Sequence, residues 1–204
     1  MKSHLLHSRT ADVLVNVCMA SLWALFALRH IGAFKSTGNA TYLLICLSET
    51  ITASFFILRK APVTVSDRFV DWLLAIVGTF APLFLLPSPS GGLNWGGMVL
   101  LLGMILQILA VLSLNRSFGL VAAKREIKTG GLYRFVRHPL YASYVLIMIG
   151  YLAGNVTWWN VVIGMLTIAC HVARIVREER HLAQDGSYVE YMKRVPYRLI
   201  PLMY

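Results

Sequence analysis

Apolar residues along this chain fall into long runs separated by short polar gaps, covering 13–34, 40–58, 69–86, 95–114, 139–153 and 156–173. A helix crossing the hydrocarbon core of a bilayer needs about 20 such residues. The pattern therefore predicts an all-α fold: a polytopic transmembrane helical bundle of six spans. The last two runs are separated only by Gly154 and Asn155 and read as a helical hairpin, with helical character continuing past the membrane over 174–184 as a charged extension. Pro82 lies inside the third run, where its missing N–H removes a backbone hydrogen bond and favours a kink. The segment 87–92, rich in Pro, Ser and Gly, is expected to turn. The first run follows a short tail carrying Lys2 and Arg9; no small-residue cleavage site closes it, so it reads as a retained anchor rather than a signal peptide.

Composition agrees with the pattern. Of 204 residues, 57% are apolar and 14% charged, far from the balance of an ordinary soluble domain. The net charge of +10 does not indicate a nucleic-acid partner, because the basic residues occupy the gaps between apolar runs rather than one polar face. With six spans, all of the 19 lysines and arginines except Arg29 and Lys35 fall on the side of the N-terminus. The positive-inside rule then places both termini in the cytoplasm. Cys18, Cys46 and Cys170 all lie within apolar runs and read as small buried hydrophobes. The chain is expected to form one integral membrane domain, with accessory spans over 1–114 and a functional core over 115–204.

The chemistry concentrates in 129–144, between the fourth and fifth runs, where Arg137, His138 and Tyr141 lie within a few residues of each other. Pro139 fixes its own φ and biases His138 away from helix, so the fifth helix should start at Pro139. Arg137 and His138 would then stand at a helix N-terminus, where free N–H groups attract an anion and a guanidinium can grip a carboxylate or phosphate. The competing reading is a basic cluster that touches lipid headgroups. A second constellation follows the sixth run: Arg174 and Glu178, four apart, share a helix face with His171 one turn back, while Glu179 points elsewhere. A solvated helix end with weak ion pairs would show the same residues. The hairpin brings both constellations to one membrane surface. His4, His7, His30, His138, His171 and His181 have no metal-ligand spacing, so no metal is expected. Glu49, in the middle of the second run, would line an acceptor pocket or pair with another helix.

The order of these elements carries a resemblance. Residues 130–141, then Glu178-Glu179 and Leu182, then Tyr188, Tyr191 and Arg194-Val195-Pro196, resemble the isoprenylcysteine carboxyl methyltransferase and phospholipid methyltransferase superfamily. The likeness begins near Leu114 and leaves the first three spans unmatched. It implies a membrane enzyme that moves a methyl group from S-adenosylmethionine to a lipid or lipid-linked acceptor. Cofactor-binding residues carried over from it are Tyr133, Arg137, His138, Pro139, Leu140, Tyr141, Glu178 and Glu179, and the catalytic candidates are Arg174 and Glu178. Arg174 would orient an acceptor carboxylate, with Glu178 holding Arg174. Where the family usually has glycine two residues after the motif tyrosine, this chain has Ser143. Isoprenylcysteine-type carboxylate O-methylation is the first expectation; a phospholipid amine N-methyltransferase, an NADPH-dependent membrane reductase of related architecture and a non-catalytic membrane interaction protein are the alternatives. No glycine-rich strand-to-helix motif is present, so a cofactor would bind among helices. The short chain points to a prokaryotic inner-membrane member with its site facing the cytoplasm.

Overall fold

The computed structural model describes residues 9–58, 64–65, 68–88, 93, 95–114, 123–124 and 129–203. The tail carrying Lys2, the basic residues Arg59 and Lys60, the end of the 87–92 turn and most of 115–128 lie outside the described residues. The described residues form seven α-helices: α1 (Arg9–Thr37), α2 (Thr41–Leu58), α3 (Phe69–Phe80), α4 (Gly96–Leu114), α5 (Pro139–Gly154), α6 (Trp158–Leu182) and α7 (Gly186–Arg194). One element breaks the all-helical pattern. Strands β1 (Thr64–Val65) and β2 (Ala123–Lys124) pair antiparallel, joining the segment after α2 to the segment after α4.

Helix boundaries follow local chemistry. Gly38, at φ +69°, closes α1 with its N–H on the Phe34 carbonyl at 2.8 Å, a left-handed position that favours glycine. Where a kink was expected at Pro82, the α-helix of the third run ends at Phe80 and passes into a 3-10 turn over Ala81–Phe84. α5 starts at Pro139, and the Thr157 hydroxyl caps α6 by accepting the Asn160 N–H at 3.1 Å.

α4 and α5 pack along their length. Glycine makes that possible: a Cβ on Gly96 would stand 2.7 Å from the Gly150 carbonyl, and one on Gly103 would stand 2.8 Å from the Ile147 nitrogen. Phe26, Tyr42, Ile45, Leu100, Met104 and Tyr151 form the core around this pair. Buried polar groups inside it are matched to one another. Ser48 donates to Gln107, which donates to Thr52; His30 Nδ1 donates to the Phe26 carbonyl, leaving Nε2 to accept from Tyr151. Towards the outside, α4 presents Leu101, Leu102, Ile105, Ile108, Leu109 and Leu112 as an exposed apolar face. Among the described residues, α4 and α6 are long and apolar enough to cross a membrane. Such a face is costly in water and suited to lipid.

Contacts sort the loops onto two ends of the bundle. At one end the Tyr42 hydroxyl reaches the Ser88 carbonyl, and Asn155 and Asn160 bind the backbone of Leu86 and Ser88, fixing the segment after α3 to the α5–α6 turn. At the other end the tail after α7 binds the backbone just before α5, β2 lies against α6, and Arg177 of α6 pairs with Asp71 of α3. That second end holds both chemical constellations.

Candidate functional site

Pro139 at the first turn of α5 leaves Arg137 and His138 in non-helical backbone, with N–H groups that no helix can use. The C-terminal tail takes them. The Arg137 N–H donates to the Tyr197 carbonyl at 2.9 Å and the His138 N–H to the Arg198 carbonyl at 2.8 Å. The Arg137 side chain extends the same contact, with Nη1 donating to the Val195 and Pro196 carbonyls at 2.8 and 2.7 Å. This segment after α7 is thereby strapped across the entrance to α5.

Glu179 locks the strap. Its Oε1 accepts Arg137 Nε at 2.7 Å and His138 Nε2 at 3.1 Å, and its Oε2 accepts Arg198 Nε at 2.9 Å. An ionised carboxylate only accepts, so His138 carries its proton on Nε2 in this contact. Glu179 lies about two turns beyond the last apolar residue of the sixth run, and it is 5% exposed. Burial pushes its carboxyl up, but the hydrogen bonds from His138, Arg137 and Arg198 outweigh burial and hold it down at about 2.

Glu178 lies about 100° around α6 from Glu179 and belongs to a different neighbourhood. Its Oε2 accepts the Tyr141 hydroxyl at 3.0 Å, and the residue is only half-buried. Tyr141 is the hub of this second group. The Arg174 guanidinium lies over its ring at 5.3 Å, His138 and His171 meet it edge-on at 5.6 Å each, and Tyr144 crosses it at 6.3 Å. Among the described residues no ion pair joins Arg174 to Glu178. Tyr141 comes between them, and Arg174 Nη1 reaches the Thr79 hydroxyl at 3.5 Å. The helical spacing that brings Arg174 and Glu178 to one face is present, but a ring from α5 bridges the two side chains.

The remaining expected residues form the walls. Tyr133 sits in a 3-10 turn, Gly131–Arg134, that rests on α4; Gly131 is at φ +57° directly above Ser113, and the Leu132 N–H donates to the Ser113 hydroxyl at 3.2 Å. The Tyr133 carbonyl accepts the Tyr191 hydroxyl at 2.7 Å, which ties α7 to this turn. Burial pushes both phenols up, Tyr191 to about 12 and Tyr133 well above the ordinary range. Leu140 packs with Ala110 and Val111 of α4, and Pro139 is buried at the helix start. Ser143, standing where glycine is usual, is wholly buried with its hydroxyl donated to the Leu140 carbonyl at 2.6 Å. The extra hydroxyl is satisfied within its own helix turn. Glu49 is half-buried on α2, close to Cys46 and Tyr144.

Arg198 was not singled out from the sequence, although it is one of three side-chain partners of Glu179. Its only forward signal was its place just after Arg194-Val195-Pro196, a stretch already tied to the motif set.

The match to known proteins has other boundaries than the motif likeness: it starts ahead of α4 rather than near Leu114 and ends before Tyr188, Tyr191 and Arg194-Val195-Pro196. Residues 93–185 match the family of phospholipid methyltransferases. Protein-S-isoprenylcysteine O-methyltransferase B of Arabidopsis thaliana is 32% identical over 114 residues, which cover 50% of this chain and 56% of that protein. The alignment thus spans little more than half the length of that relative. The C-terminal half of the chain is thus similar to phospholipid methyltransferases and to an isoprenylcysteine O-methyltransferase.

Proposed function

We propose that this protein is a multi-pass membrane methyltransferase that uses S-adenosylmethionine to methylate a lipid or lipid-linked acceptor. The observation that carries the reading is the meeting of Arg137 and His138 with Glu179, and of Tyr141 with Glu178, in two adjacent hydrogen-bonded groups, although about forty residues and a helical hairpin separate the partners. The relative's O-methyltransferase name supports carboxylate O-methylation ahead of amine N-methylation. The distribution of lysine and arginine along the sequence supports a cytoplasmic site.

The side chains around Tyr141 suit such a cofactor. Glu178 offers a half-buried carboxylate whose Oε1 remains available for ribose hydroxyls, and the ring of Tyr141 presents a face to a sulfonium. Bound there, the cofactor supplies an electrophilic methyl group. The protein's part is then to position and to exclude water. Glu179, Arg137, His138 and Arg198 fix the strap and the start of α5, and this fixes Tyr141. Tyr141 in turn orients Glu178. A carboxylate acceptor is already ionised near neutral pH and asks no proton transfer of these residues. The test is transfer of labelled methyl from S-adenosylmethionine into a prenylcysteine or phospholipid probe by protein in lipid nanodiscs. Label entering neither probe, with the protein folded, contradicts the reading.

A further inference from the structure

Helix lengths set the depth of the strap in a bilayer. At the far end of the bundle the exposed Trp95, just before α4, and Trp158 and Trp159, at the start of α6, mark one interface, where tryptophan rings concentrate. From there α5 runs back for 16 residues, about 24 Å of helix, and α4 crosses in 19 residues, about 28 Å. Neither exceeds a hydrocarbon core of about 30 Å. Pro139 at the start of α5 and Ser113 at the end of α4 therefore lie at the opposite hydrocarbon boundary, not beyond it. So do the elements bonded there: the 3-10 turn Gly131–Arg134, whose Leu132 N–H meets Ser113, and the strap, whose Tyr197 and Arg198 carbonyls hold the backbone just before Pro139.

Large apolar side chains stand exposed on both. Phe135 follows the 3-10 turn and Ile200 follows the strap, and beyond it Leu202 is 82% and Met203 79% exposed. The tail turns here, with the Met203 N–H donating to the Ile200 carbonyl at 3.2 Å and Leu202 at φ +67°, a left-handed backbone uncommon for leucine. In water this group combines exposed apolar surface with a costly turn; at a lipid boundary, burial of the same side chains offsets both. Cations accompany them. Arg134, in the 3-10 turn, and Lys193 and Arg194, at the end of α7, are exposed, and the Tyr191 hydroxyl on the Tyr133 carbonyl joins the two elements that carry them. Apolar side chains beside lysine and arginine suit the edge of an anionic leaflet.

We propose that Phe135, Ile200, Leu202 and Met203 form an interfacial anchor that inserts into the leaflet on the side of the site, with Arg134, Lys193 and Arg194 on its anionic headgroups. The anchor holds the strap, and with it the entrance to α5, against lipid. The inference rests on the bundle spanning a bilayer, as proposed above, and on no methyl-transfer step.

The experiment reads the depth of a nitroxide at Leu202→Cys, in a Cys18→Ser background that leaves the buried Cys46 and Cys170, with the protein in nanodiscs of phosphatidylcholine and phosphatidylglycerol. The label is expected to collide more often with dissolved oxygen, which concentrates in hydrocarbon, than with a water-soluble nickel chelate. At Gln184→Cys, exposed in the turn after α6, the preference should reverse. Replacing phosphatidylglycerol by phosphatidylcholine, or combining Arg134→Gln, Lys193→Gln and Arg194→Gln, should shift the label at 202 towards the nickel chelate. A label at Phe135→Cys carries the same comparison if the first variant fails to fold. A label at 202 that prefers the nickel chelate in both lipid compositions overturns the anchor, as does one shielded from both reagents, which places it against a second copy or another protein. A label that prefers oxygen but ignores both phosphatidylglycerol and the three cations overturns the headgroup contact. Leu109→Cys, on the exposed face of α4, checks the span itself: preference for the nickel chelate there contradicts the membrane reading instead.

Discussion

Glu178 and Glu179 are neighbours in sequence with opposite conditions in the fold. Glu179 is buried and accepts from Arg137, His138 and Arg198, so both of its oxygens are bound by the protein itself. Glu178 is half-buried, and one oxygen accepts from Tyr141. The same division runs through the two histidines beside Tyr141: His138 is engaged, whereas His171 Nδ1 has no hydrogen-bond partner among the described residues. A paired motif can thus divide its labour: one residue closes the architecture, and its neighbour is left facing what the architecture encloses.

The sharpest way to break this contrast is to remove each carboxylate in turn. Glu179→Ala strands buried cationic partners and is expected to cost about 3–5 kcal/mol of stability. Glu178→Ala should cost under about 1 kcal/mol, the loss of one hydrogen bond at a half-buried site. Thermal melts of the two variants in the same detergent measure both. Equal losses would mean that the contrast has no energetic basis.

Removing one partner should have an intermediate effect. Arg198→Ala leaves Glu179 with Arg137 and His138 and should cost about 1–3 kcal/mol, with the melt lowered less than in Glu179→Ala. Smaller still is Tyr191→Phe, which deletes the hydroxyl on the Tyr133 carbonyl and should cost about 1 kcal/mol.

Acid gives an independent view of the same clamp. The folded protein holds the Glu179 carboxyl at about 2, below its ordinary 4.5. Its contribution is therefore complete above about pH 4.5 and is lost as pH falls through about 2. The gap in melting temperature between wild type and Glu179→Gln should narrow from pH 6 to pH 3. A gap that widens with acid would contradict the assignment.

Much of this was legible in the sequence because backbone chemistry announced it. Pro139 set the start of α5, Pro82 the narrowing after α3, and the two-residue Gly154-Asn155 gap the hairpin that brings residue 141 to residue 178. Other features carried no local signal. The strap binds Arg137 through main-chain carbonyls of Val195 and Pro196, which any residue would supply. The Arg174–Glu178 spacing predicted a pair on one face, but helical periodicity cannot see a tyrosine arriving from another helix. It likewise separates the directions of Glu178 and Glu179 without saying which one meets the tail.

The central claim is that the Tyr141–Glu178 side of this division holds the methyl donor. Titration of S-adenosylhomocysteine into detergent-purified wild type and into Glu178→Gln tests it most directly. Saturable binding by wild type is expected, weakened about tenfold or more in Glu178→Gln while that variant melts close to wild type. Absence of binding in folded wild type, or equal affinity in the variant, would contradict it.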